Sequence, residues 1–207
     1  MANKKMRAER ESKLKYEIYL DSLKKTGKYH RIALALIPAL FLCYFFNWVY
    51  LYNTRIGMGT QAKVSGWSFI IAAITRTYTS TDTVYGDIAV PFFSYAKNYC
   101  EQLGTFTFIS LIIAILTAAC EGIIVFGKKY KLSYVSCALQ LSQVVCLFIC
   151  SNIAKSMNGS AIISDFCSAN PECSVKSAIF VSILISLTGA FCSVVSLIKT
   201  IIAGKDS

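Results

Sequence analysis

Four apolar runs punctuate the chain, and one pair of them sets the frame for the rest. Residues Gly104–Phe126 are almost uninterrupted apolar sequence. A short basic turn follows (Gly127-Lys128-Lys129-Tyr130-Lys131), then a second apolar run, Leu132–Ala154. Each run exceeds the ~20 residues needed to cross ~30 Å of hydrocarbon as a helix. Two further runs of that kind, Ile32–Leu51 and Ala178–Ile202, flank the pair. The pattern predicts an all-α integral membrane protein: an up-down bundle of four transmembrane helices over 32–51, 104–126, 132–154 and 178–202. Outside loops at 53–103 and 155–176 would form a small extracytoplasmic cap.

The segment before the first run is polar. In residues 1–30, Tyr16, Tyr19, Leu20 and Leu23 recur at i, i+3, i+4 and i+7, a single helix face, and Lys, Arg and Glu fill the remainder. A cytoplasmic basic amphipathic helix over 1–30 is predicted, broken at Gly27, ahead of a membrane domain over 31–207. It suits anionic headgroups, where each basic residue gains ~1 kcal/mol, or docking of a cytoplasmic protein. The first run is too long for a signal-peptide core, so it reads as an uncleaved anchor. Pro38 inside it is tolerable in a membrane helix. Tyr44, Trp48, Tyr50 and Tyr52 at its far end read as an interfacial aromatic belt.

Within the first outside loop, Val64–Ile74 is apolar but too short to span. It suits an interfacial helix, a re-entrant segment or the core of the cap. Tyr85-Gly86-Asp87 reads as a turn and Pro91 as a helix start. Phe92, Tyr95, Tyr99 and Leu103 then share a helical face that can run straight into the second crossing.

Composition agrees with this layout. The chain has 207 residues, 55% of them hydrophobic, and only 15% are charged, well under the ~25% of a soluble domain. The net charge is +10, and its placement orients the chain. Ten Lys/Arg lie in residues 1–31, three in the basic turn and two beyond the last run, whereas six share the two outside loops with five acids. This bias predicts cytoplasmic termini, in a plasma or inner membrane. The basic charge is divided among three segments with no DNA- or RNA-binding motif, which argues against nucleic acid as a direct partner.

Polar residues inside the runs are the candidates for chemistry. Glu121 lies about 9 Å from the end of its run, within reach of headgroup water or the hairpin lysines. Gln140 and Gln143 fall near the bilayer midplane and share a face with Ser136 and Leu147. They suit interhelical hydrogen bonds or a polar lining. The fourth run carries a seam of small residues, Ser182, Ser186, Gly189, Ala190 and Ser193, fit for close helix packing within the chain or against a partner. Six of the nine cysteines fall in apolar runs, where Cys acts as a small hydrophobe. Outside them lie Cys100, Cys167 and Cys173. The last two flank an Asn170-Pro171 turn, and a disulfide between them is expected if the loop is extracytoplasmic. The single histidine, His30, sits beside Arg31 and reads as interfacial. No second histidine, nucleophile motif, phosphate-binding loop or metal motif accompanies it, so no catalysis, cofactor or metal is expected.

In outline, with its large first and small second outside loops, the plan resembles tetraspan proteins of the claudin-like kind. It departs from them at their Trp–Gly–Leu–Trp motif and following cysteine pair: only Ser65-Gly66-Trp67 comes near. The functional expectation is a non-enzymatic scaffold or accessory subunit that self-associates or binds membrane or cytoplasmic partners. The alternative is a small homo-oligomeric channel or membrane-state sensor, for example a membrane subunit of a defence or toxin system.

Overall fold

The computed structural model describes residues 2–53, 60–75, 97–156 and 172–205. Four of its helices are long and apolar enough to cross a membrane, which makes this a multi-pass integral membrane protein. In chain order they are α1 (Ala2–Phe45), α3 (Lys97–Gly127), α4 (Ser133–Ser156) and α5 (Ser177–Lys205). A shorter helix, α2 (Gly66–Thr75), lies between the first two. The four long helices pack as a closed ring of neighbours: α1 on α3, α3 on α4, α4 on α5 and α5 back on α1.

Each long helix buries a stripe spaced alternately three and four residues apart. On α1 the stripe is His30, Ala33, Ile37, Leu40 and Tyr44; on α3 it includes Leu103, Thr107, Ser110, Ala114, Thr117, Glu121 and Ile124. Ser133, Ser136, Gln140, Gln143, Leu147, Cys150 and Ala154 form that of α4, and Ile179, Ser182, Ser186, Gly189, Ser193 and Ser196 that of α5. An alternating three–four spacing keeps one seam against its neighbours, as in left-handed coiled packing. Many of these positions are polar or small, as lipid requires: tails are as apolar as Leu, so helices gain little by merely hiding Leu from them. The outward faces carry Ile115, Leu116, Leu141, Phe148, Leu184 and Phe191, all exposed.

Three differences from the hydropathy pattern stand out. First, α1 runs unbroken through Gly27 and Pro38. Gly27 does not end the helix but leaves room at its surface, where the Tyr130 hydroxyl would stand 3.3 Å from a Cβ. The boundary expected at residue 30 therefore falls inside one helix. The side chains of Tyr16, Tyr19, Leu20 and Leu23 lie outside the described residues, and so does their shared face.

Second, the first crossing stops at Phe45 rather than Leu51. Asn47–Asn53 is a strand, β1, at the centre of a three-stranded antiparallel sheet with β2 (Thr60–Ser65) and β3 (Glu172–Val175). Trp48-Val49-Tyr50-Leu51-Tyr52 is rich in aromatic residues, with a β-branched Val49, and such residues favour a pleated surface; an apolarity count alone reads them as helix. Third, α3 begins at Lys97, seven residues before the apolar run, in line with a helix that continues beyond the crossing. Phe92 and Tyr95, with Tyr85–Asp87 and Pro91, lie outside the described residues.

Trp48 joins the sheet to the helices. It is fully buried, stacks on Tyr44 at 5.3 Å and donates its indole N–H to the Cys43 carbonyl at 2.9 Å. That carbonyl, left over at the end of α1, also accepts the Phe46 amide, so the indole helps cap the helix. Tyr44 and Trp48 are thus core residues, not a belt facing headgroups. Gly66 lies directly beneath the ring: a Cβ there would stand 2.6 Å from Trp48 Cε2. Ser65 caps α2 by accepting the Ser68 amide at 3.1 Å. Around this centre Val49, Val64, Phe69, Ile70, Leu103, Cys150, Ala154 and Ile179 form an apolar cluster.

Candidate functional site

At the opposite end of the core, next to the lysine turn, all four long helices meet at one buried imidazole–carboxyl contact. His30 Nδ1 of α1 lies 2.7 Å from Glu121 Oε2 of α3, and both side chains are wholly buried. His30 Nε2 reaches Ser133 of α4 at 2.9 Å and Ser196 of α5 at 2.6 Å. On the far side of the carboxylate, Oε1 accepts hydrogen bonds from Ser136 of α4 and, at 3.3 Å, from Ser193 of α5. The two serines are themselves 3.3 Å apart.

Glu121 therefore pairs with neither headgroup water nor the hairpin lysines. Its helix turns it into the core, where an unpaired charge would be too costly to keep. His30 does not face headgroups: it is wholly buried, on the same stripe as Ala33, Ile37 and Tyr44. The signal was present in the spacing: a lone histidine at stripe position on one helix, the one carboxylate within the apolar run of another, and two Ser pairs three apart on the remaining two.

Pairings along α4 and α5 run in constant register. Ser136 meets Ser193, and one turn on, Gln140 packs on Gly189, whose added Cβ would come within 2.8 Å of Gln140 Oε1. Gly189 is thus the gap that admits the Gln140 amide. Gln143 turns toward α1 and α3: its Nε2 donates to Ser110 Oγ at 2.6 Å and to Tyr44 Oη at 3.2 Å, and Tyr44 and Ser110 share a 2.6 Å bond. Gln143 Oε1 and Ser186 Oγ are buried without a hydrogen-bond partner. Ser182 donates to the Ala178 carbonyl.

Ser182, Ser186, Gly189, Ala190 and Ser193 are all buried within the chain, so the small-residue seam serves its own core. Gln140 and Gln143 do share a buried face, but they do not line one open path: the first faces α5 and the second faces α1 and α3. Cys167 lies outside the described residues. Cys173 stands opposite Leu51 on β3, and its side chain is not among those described, so the expected bridge is outside the described part. Cys100 lies on α3 and is fully buried. No group of three or more metal-ligating side chains occurs among the described residues.

Two smaller contacts tie α1 to α5 and α4 to α5 near their ends. Lys199 Nζ bonds Tyr29 Oη at 3.0 Å and sits 4.5 Å over its ring. Lys155 stands 5.4 Å over the Phe180 ring. No protein-family model matches the chain, and no curated protein matches it.

Proposed function

We propose that the protein is a non-enzymatic membrane scaffold or accessory subunit, an up-down four-helix bundle with an extracytoplasmic cap. The reading keeps both termini and the lysine turn in the cytoplasm, on the strength of the lysine asymmetry. One observation carries it. The polar groups of the crossings are turned inward and used against one another: His30 with Glu121 and four serines, Gln143 with Tyr44 and Ser110. Chemistry or transport needs polar groups kept available; here these groups bond one another across the helices, and Gln143 Oε1 and Ser186 Oγ are left buried without a partner. Among the described residues, the sheet end of the core is an apolar cluster that includes Trp48 and Ile179, an unfavourable setting for water or ions. A channel formed between copies would have to be lined by the outward faces, where Gln140 and Gln143 are absent.

On this reading the cap presents the surface for membrane partners or a second copy, with Cys167 and Cys173 as its bridge, and the basic N-terminal helix faces anionic headgroups or a cytoplasmic protein. The test joins two measurements. Purified protein in liposomes is expected to give no ion flux above protein-free vesicles, and pull-down from native membranes to recover a membrane protein or a second copy at fixed stoichiometry. Flux that Gln143→Leu abolishes overturns the scaffold in favour of the channel.

A further inference from the structure

Helix α2 has two apolar faces, and the described residues cover only one. Phe69, Ile70 and Ala72 are buried against α3 and the Trp48 cluster. Trp67, Ile71 and Ile74, at i, i+4 and i+7, form the other edge, exposed at 38%, 43% and 62%. No residue of α2 carries a charge. An uncharged helix that exposes three large apolar residues along one edge is ill suited to water.

Its level relative to the membrane follows from α1. The uncharged apolar stretch of α1 after Arg31, Ile32–Phe45, has 14 residues, about 21 Å at 1.5 Å per residue, short of the ~30 Å of a hydrocarbon core. Phe45 therefore stands no further out than the hydrocarbon boundary. Trp67 stacks on it, with ring centroids 5.3 Å apart. The exposed edge of α2 is thus continuous, through the Phe45–Trp67 pair, with the lipid-facing side of α1, where Leu42 and Phe45 are each 61% exposed. A protein partner there would be expected to meet a polar rim around an apolar centre; among the described residues this edge instead merges, through Phe45, into the lipid-facing surface.

We infer that α2 is a one-leaflet membrane helix whose Trp67–Ile71–Ile74 edge inserts among the acyl chains beside α1 at the sheet end, with lipid as its partner. Trp67 would sit at the headgroup boundary, the usual level for an indole, and α2 would lie half in the leaflet as amphipathic interfacial helices do. The four crossings hold the protein in the bilayer without α2, so the inference stands apart from the scaffold reading.

The chain has two tryptophans, and Trp48 is wholly buried, which allows a direct measurement. Parent and Trp67→Phe proteins are placed in nanodiscs of phosphatidylcholine with or without bromine at shallow acyl positions. Tryptophan emission of the parent is expected to fall in brominated lipid, by a share equal to the Trp67 contribution. Trp67→Phe is expected to emit equally in both, and aqueous iodide to quench neither. Trp67→Phe/Ile74→Trp moves the probe one face-repeat along α2 and is expected to restore the bromine quenching. Iodide quenching of Trp67 without bromine quenching overturns the inference, and so does a Trp67 shielded from both, which would mean a protein cover.

Discussion

At the lysine-turn end, one imidazole and one carboxylate draw four helices together through four serine hydroxyls. At the sheet end, one indole does the equivalent work by area: Trp48 fills the space between α1, the sheet and α2 and gathers an apolar cluster about itself. The contrast follows the solvent each end meets. Between crossings, apolar contact competes with equally apolar tails, so hydrogen bonds and close backbone approach must hold the helices. Beyond the hydrocarbon, water returns and burial of aromatic and aliphatic surface regains its driving force.

Breaking the polar end from one side is expected to have the largest effect. Glu121→Leu leaves His30 Nδ1 and two serine hydroxyls buried without the carboxyl, at a cost of about 1–3 kcal/mol for each group left unpaired. Removing both partners, as His30→Leu/Glu121→Leu, is expected to recover much of that loss, because replacing both members of a buried polar pair by apolar groups can be nearly neutral. Thermal unfolding followed by circular dichroism in detergent measures both. A double variant as weak as the single one would show that the imidazole–carboxyl pair is not the lock.

The apolar end should respond in the opposite way, to volume and not to charge. Gly66→Ala drives a methyl into the Trp48 ring and is expected to cost about 1–3 kcal/mol. Trp48→Phe, though itself destabilising, is expected to make the Gly66 substitution cheaper. Denaturant titration of the four proteins gives the coupling, and strictly additive losses would mean that the two residues do not share the space. Smallest of the three, Gln143→Leu removes the bonds to Tyr44 and Ser110 and is expected to cost about 0.6–1.7 kcal/mol. Measured in the same titration, a larger loss would show that polar glue here acts as a network instead of bond by bond.

Much of the helical core was legible in the spacing of apolar residues. The crossings over 104–126 and 178–202 lie inside α3 and α5, and that over 132–154 begins one residue before α4 and ends within it. Gln140, Gln143, Ser182, Ser186 and Ser193 are as buried as their placement in the runs implied. Two things were not legible from hydropathy. Glu121 could be assigned a depth, but the partners expected for it, headgroup water or the hairpin lysines, were the nearest in sequence, whereas its partner lies 91 residues away on another helix; only the shared three–four stripe connects them, and His30 was judged by its nearness to the membrane edge. The strand Asn47–Asn53 was absorbed into the first crossing because Trp, Val, Tyr and Leu are apolar in either conformation. Its true partners, β2 and β3, lie in two separate loops, and strand pairing across such distances leaves no periodic trace in a single segment.

The joints around the sheet are very short. Only Phe46 separates α1 from β1, and only Lys176 separates β3 from α5, with the Lys176 amide bonded to the Trp48 carbonyl. Such splices leave no slack. A partner that tugged on the sheet would load α1 and α5 as levers, and the strain would be carried down to the far anchorage at His30 and Ser196 instead of dying away in a linker.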